Sequence, residues 1–354
     1  MNIAVVARSL YDASLIKEKA FIEELLSTLA SQQKPLKFLI ITDKLANVNL
    51  PITSNFEFVN PGSPGKTGLQ IKYWWEIKLP RILKKSKADV LISFNGRCSK
   101  SLNLPQVLSG FDLLQTSSEN IKKAMAILVN SEWEKEEIKK IFNIRNEKVE
   151  VLTHAVKEIY KPLEESEREK TKTNYCDGKE YFLCPGKLPD QESFISLLKS
   201  FSHFKKRQQS SMKLMFFPLP GKKSIESLSS YKFRNDVLVI ENPDDIEETL
   251  LIGSAYAVII PQNDSRSVSI VLKSLQCAVP VLASENSLVK EYAGDAALYF
   301  EIESEKGISE KMIRIYTDEG LRTELIRKGK DRAMNFTIKK SADLLWNCIQ
   351  KAVK

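Results

Sequence analysis

The sequence predicts an α/β protein built from two parallel-sheet domains, and three observations carry that prediction. Short β-branched and apolar runs alternate with longer amphipathic stretches. The rhythm breaks once, in the charged stretch 161–180, and then restarts. At 354 residues the chain exceeds what one core ordinarily covers, so two domains of about 150–180 residues are expected.

Taken in order, 1–7 reads as a strand and 13–30 as a helix with apolar Leu15, Ala20, Leu25, Leu26 and Leu29. Strands at 37–41 and 56–59 precede a helix at 71–85 and a strand at 89–94. A strand at 126–130 runs into Ser131, with Glu134 three residues on, so a capped helix is expected to about 141, followed by a strand at 149–152. Near-continuous apolar strands separated by helices describe parallel sheets covered on both faces. After the charged stretch, strands are expected at 181–184, 213–217, 237–240, 257–260, 279–282 and 297–299. Helices fall at 191–206, 244–252, 268–276, 304–317 and 318–333, with Asp244 or Asp245 as a cap. The expected boundaries are 1–162 for the first domain, 163–180 for a linker and 181–337 for the second domain. Residues 338–354 form a last helix that returns to the first domain, because Ala342, Leu344, Leu345, Cys348 and Ile349 need an apolar partner. Ligands of such sheets sit beyond the strands' carboxyl ends, so a cleft between the domains is the expected site.

Composition narrows the function. Apolar residues make up 43% and charged residues 28% of the chain, the balance of a folded soluble protein. No run approaches the length of a membrane span, and 1–10 is broken too early by Arg8 to be a secretory signal. Five scattered cysteines without a CxxC pair point to reduced core thiols and a cytoplasmic protein. Two distant histidines, His154 and His203, and no DxD triplet leave no metal site, and no cofactor is expected. The formal net charge of +8 is concentrated: between 72 and 100, eight cations face only Glu76 and Asp89. The helix at 72–87 is therefore expected to suit an anionic membrane surface or a phosphorylated substrate. A solvated lysine-rich face is the plainer reading. Nucleic acid is not expected, since no binding module or aromatic platform accompanies the cations.

Candidate binding residues lie at strand ends. Gly186 and Lys187 follow the first strand of the second domain. In Pro261–Ser267, either Ser265 or Ser267 is placed to cap the next helix, and Arg266 with the free N–H groups makes an anion seat. His154 follows a strand and is a cleft candidate. The stretch from Pro61 to Gly68 is no phosphate loop, because Asn60 stands where the pattern needs glycine. No GxGxxG opens either domain, which leaves a dinucleotide dehydrogenase unsupported.

The order of these features resembles the retaining glycosyltransferases of family 4, with their GT-B fold. The resemblance rests on Leu128–Trp133 with Glu147–Leu152, on His154–Pro162, on Tyr181–Phe201, on Val279–Ala283, on Leu321–Asp343 and above all on Glu291–Tyr299. It implies a nucleoside-diphosphate sugar in the second domain and an acceptor, a glycan or lipid-linked molecule, at the first. It implies no bound metal. Its donor pocket calls for fixed cations around the leaving diphosphate, whose charge grows during transfer. The basic segment 72–87 in turn gives the expectation of a cytoplasmic protein peripheral to the inner face of a membrane, as lipid-linked acceptors would require.

Carried over residue by residue, the resemblance puts Lys187 at the phosphate arginine and Glu192 at the phosphate lysine. It puts Ser265 and Lys273 at two pocket glutamates, and Phe111 at the histidine before the Asp112–Leu113 pair. No catalytic residue is assigned. Donor or phosphate-binding candidates are Gly186, Lys187, Ser265, Arg266, Ser267 and Lys273; cleft candidates are His154, Asp112 and Glu192. Three readings remain: a pseudoenzyme of this family without ordinary transfer, an active hexosyltransferase using a rearranged cationic donor site, or a binding or scaffold protein on the same fold.

Overall fold

The computed structural model describes residues 1–7, 16–33, 35–42, 50, 55–110, 113–186, 188, 190–217, 228–262, 266–301 and 304–354, with 16–18 and 266 described as backbone only. It divides into two units, 1–155 with 337–354, and 156–336.

The first unit holds a seven-stranded sheet: β1 Asn2–Val6, β2 Lys37–Ile41, β3 Phe56–Val59, β4 Val90–Ser93, β5 Gln106–Ser109, β6 Ala126–Val129 and β7 Val149–Val151. The spatial order is β3-β2-β1-β4-β5-β6-β7, and every neighbouring pair is parallel. Such a sheet must be covered on both faces. One face packs under helix Ile16–Gln32 and helix Ile338–Val353. The other is covered around Trp74, Trp75, Leu79 and Leu83, and around Ile121 and Ile138.

β5 was not anticipated from the sequence, because its four residues between Pro105 and Gly110 carry only two apolar side chains. Helix Glu132–Phe142 begins as expected: Ser131 accepts from the Glu134 N–H at 3.0 Å. The Glu134 carboxylate reaches back to the N–H of Asn130 at 2.8 Å, one residue earlier than a capping box requires.

The helix expected at 71–85 runs from Gly68 to Ser86 with a π-helical turn at Trp74–Lys78. Pro80 explains the turn. It has no N–H to give to the Glu76 carbonyl, so the Leu79 N–H reaches back to Trp74 instead. The freed Glu76 carbonyl accepts the Ser101 hydroxyl at 2.7 Å.

The second unit repeats the plan with β8 Tyr181–Pro185, β9 Lys213–Phe217, β10 Val237–Val239, β11 Ala257–Ile260, β12 Val281–Ser284 and β13 Ala297–Phe300. Its order is β10-β9-β8-β11-β12-β13, again all parallel. Strand order reverses between β8 and β11, the switch point at which such sheets bind ligands.

The stretch expected as a linker, 163–180, departs from that expectation. Glu165–Cys176 is a helix belonging to the second unit. Its few inward groups are enough: Cys176 is in the core, and buried Lys172 bonds Glu169 at 2.7 Å and Glu180 at 2.6 Å. Periodicity fails there because the anchor is an ion pair, not an apolar stripe.

Helix Ile338–Val353 belongs to the first unit. Ala342, Leu345 and Ile349 are fully buried, the Ser341 hydroxyl donates to the Thr153 carbonyl at 2.8 Å, and Lys351 meets Glu150 at 2.8 Å. Replacing Leu345 with alanine removes a side chain with no exposure and is expected to cost the first unit about 2–5 kcal/mol. Urea unfolding resolved by hydrogen exchange checks this; a loss confined to the second unit would contradict it.

Candidate functional site

Of the sequence candidates, the structure brings Gly186 and Ser267 together at the switch point of the second sheet, both bonded to Gln262. At the end of β8, Gly186 has φ +85°, and its N–H donates to the Phe217 carbonyl at 2.7 Å. A Cβ at 186 would come within 2.8 Å of the Ile270 Cδ1, so glycine is required both by conformation and by space.

Sequence reasoning missed the residue that organises this end. Gln262, just past β11, is 2% exposed. Its Nε2 donates to the Pro185 and Gly186 carbonyls at 3.2 and 3.3 Å. Its own carbonyl accepts the Ser267 hydroxyl at 3.0 Å and the Ser284 hydroxyl at 2.8 Å. One glutamine thus ties together the ends of β8, β11 and β12. Its Oε1 is buried without a hydrogen-bond partner. The available signal was a polar residue one proline beyond the apolar run Ala257–Ile260, where a strand end meets chemistry.

Ser267 therefore does not cap the following helix. The helix Arg266–Gln276 already includes it, and its hydroxyl is spent on Gln262. Lys187, Ser265 and Asp112 lie outside the described residues, as does the Arg266 side chain. Glu192 is exposed in the first turn of helix Gln191–Gln208, whose cap is Asp190 accepting from the Ser193 N–H at 2.8 Å. A carboxylate in that turn is stabilised by the helix dipole, which accounts for Glu192 without a ligand.

Lys273, expected as a phosphate-binding cation, is engaged elsewhere. Its Nζ lies 2.7 Å from Glu248 Oε2 and 4.4 Å from the centre of the Tyr160 ring, with only 9% of the side chain exposed. Tyr160 donates its hydroxyl to Glu248 at 3.0 Å and to Asp245 at 3.3 Å, and Lys157 pairs with Asp245. Burial first, then the Glu248 and Asp245 charges, push the Tyr160 hydroxyl far above its usual range. Asp245 is held low: burial opposes the shift, but the Lys157 bond and charge outweigh it. The charges of this group cancel internally. Asp244 caps its helix as expected, accepting from the N–H groups of Ile246 and Glu247.

His154 belongs to the first unit, its ring 4.9 Å from that of Phe21. Burial pushes its imidazolium down to about 4, so the ring is neutral at pH 7. Among the described residues, no group of three His, Cys, Asp or Glu could hold a metal ion. All five cysteines are free and buried.

Two outcomes follow from this geometry. Lys273→Ala leaves the largely buried Glu248 without its cation and is expected to cost about 2–4 kcal/mol, whereas Lys273→Met with Glu248→Leu recovers most of that loss; thermal unfolding of the wild type and the two variants measures it. His154 binds its proton less readily folded than unfolded, so its contribution is complete above the unfolded value of 6.5 and is lost as pH falls towards 4. Between pH 7 and 4.5 the wild type is expected to lose about 1–3 kcal/mol more than His154→Gln, read by denaturant titration at each pH.

The comparisons agree with this architecture. Residues 165–332 match the family model of Glycosyl transferases group 1. No curated protein matches the chain. Among solved structures, a glycosyltransferase from Rickettsia africae is similar with a TM-score of 0.78 at 14% identity, covering 100% of this chain and 98% of that one. WaaG, a glycosyltransferase of lipopolysaccharide biosynthesis, is similar at 0.69 and 14% identity over 97% and 99%. Anabaena HepE, solved in complex with UDP-glucose, is similar at 0.71 and 12% identity over 99% of both chains. The chain therefore has the GT-B fold along its whole length, and over 165–332 it carries the sequence pattern of glycosyl transferases group 1.

Proposed function

We propose that this chain is a group 1 glycosyltransferase of the retaining, family 4 type whose donor site no longer supports ordinary transfer from a nucleoside-diphosphate sugar. The observation that carries the reading is the Lys273–Glu248 pair beneath Tyr160. Transfer builds negative charge on the leaving diphosphate, and cations facing it must have charge to spare. Lys273 has none left over, because Glu248 neutralises it at 2.7 Å. Gln262 adds to the reading: its amide N–H groups, the kind that elsewhere face an oxyanion, are bonded to the Pro185 and Gly186 carbonyls.

The donor class in this reading is a nucleoside-diphosphate sugar, bound without a metal. The acceptor class is a glycan or a lipid-linked molecule at the inner face of an anionic membrane, which the cations of 72–87 would attract. By their place in the sequence, Lys187 and Arg266 are the cations this reading leaves for a simple phosphate.

Calorimetric titration with uridine, guanosine and adenosine diphosphate sugars, with and without divalent metal, tests the reading. Dissociation constants above about 1 mM are expected for the unaltered protein, the same with metal chelated. A variant carrying Glu192→Lys and Ser265→Glu, with the exchanged pair Glu248→Lys and Lys273→Glu, is expected to bind more tightly. The exchange is needed because glutamate at 273 alone would face Glu248. Micromolar binding with sugar turnover by the unaltered protein would replace this reading with that of an active transferase using a rearranged site.

A further inference from the structure

The segment Gly68–Ser86 has two faces of opposite character. Trp74, Trp75, Leu79 and Leu83 are buried against the first sheet, and the Trp74 Nε1 is fixed to the Gly62 carbonyl at 2.9 Å. The opposite face carries Leu69, Tyr73 and Ile77, four residues apart, and these are 82%, 53% and 40% exposed. Four residues further on stands Arg81. Three large apolar side chains in one exposed row are not explained by the core they leave uncovered.

The charges around the row have one sign. Lys66, Lys72, Arg81, Lys84, Lys85 and Lys87 are all exposed, and none of them pairs with a carboxylate among the described residues. Between 60 and 88 the only acid is Glu76. It is turned away from this face: its carboxylate accepts the N–H groups of Ser101 at 2.9 Å and Lys100 at 3.2 Å, and the Ser99 hydroxyl at 3.2 Å. Partial burial opposes ionisation, but these donors hold Glu76 below the usual carboxylate range. The π turn at Pro80 belongs to the same clamp, since the freed Glu76 carbonyl is what Ser101 occupies. The one carboxylate of this segment is thus bonded to residues 99–101 and withdrawn from its cations and exposed apolar side chains.

We infer that Leu69, Tyr73 and Ile77 insert into the headgroup region of an anionic lipid bilayer, with Lys66, Lys72, Arg81, Lys84 and Lys85 at the phosphates. Apolar residues in a row with cations beside them match an interface where hydrocarbon lies under negative charge. A lone anion would use the cations and leave the row in water; a protein partner would need no excess of one sign. The inference deepens the membrane-side acceptor reading, and its readout involves no sugar transfer, so a failed donor titration leaves it standing.

Sedimentation with vesicles of phosphatidylcholine alone, or with roughly 30% phosphatidylglycerol, tests it at about 0.1 and about 0.5 M salt. The full chain is expected to pellet with the anionic vesicles at low salt and not with the neutral ones. A variant with Leu69→Ser, Tyr73→Ser and Ile77→Ser, and a second with Lys72→Gln, Arg81→Gln, Lys84→Gln and Lys85→Gln, should each bind at least about tenfold more weakly. All altered side chains are exposed, and unchanged circular dichroism verifies folding. Because the native cysteines are buried, Leu69→Cys gives an accessible thiol for an environment-sensitive dye, whose emission should shift to the blue on anionic vesicles. Equal pelleting with both vesicle types would overturn the inference. So would full binding by the serine variant without a dye shift, which would indicate a phosphate-only contact, or a wild-type dimer lost in that variant, which would assign the row to a second copy.

Discussion

A parallel sheet tolerates water on neither face, and most of this structure follows from that constraint. Each unit needs two layers of helices, so every strand must be followed by a segment long enough to cross and cover it. The first unit meets the requirement only by recruiting the chain's last helix: Ala342, Leu345 and Ile349 complete the layer begun by helix Ile16–Gln32. With both faces covered, the strand ends are the places left where backbone groups and side chains can meet a ligand.

At the second unit's strand ends, polar groups are largely turned to one another. Gln262 joins three strands, and Ser267 and Ser284 bond its carbonyl; further along the helix that follows β11, Lys273 neutralises Glu248. A buried hydrogen bond or ion pair is costly to leave half made, so groups committed in this way are not free to greet a phosphate. The unpartnered Gln262 Oε1 is the exception within this cluster, a buried acceptor next to a strand end. It suits a hydroxyl or an N–H, not a phosphate oxygen.

Local rules made much of the fold legible. The capped helices after Ser131 and Asp244 and the buried strands announced themselves by spacing and residue type. What stayed hidden depended on partners far along the chain. β5 is too short to show a pattern until β4 and β6 pair with it. Helix Glu165–Cys176 is anchored by Lys172 bonding Glu180. The π turn required knowing that Ser101 would accept the role Pro80 vacates. The site was legible only as positions. Gly186 was found from its place after a strand, but the engagement of Lys273 depends on Glu248, 25 residues earlier, and no motif names that pair.

The proposal is that internal bonds at the carboxyl end of the second sheet leave no seat there for a sugar donor. Hydrogen–deuterium exchange of the full chain, with and without roughly 0.1 mM UDP-glucose, measures this directly. A ligand at a hundred times its dissociation constant slows exchange at its site by about 2.7 kcal/mol, roughly a hundredfold, whereas one far below that constant changes nothing. The account predicts unchanged exchange at 181–186 and 257–276. Strong protection confined to those two segments would contradict it.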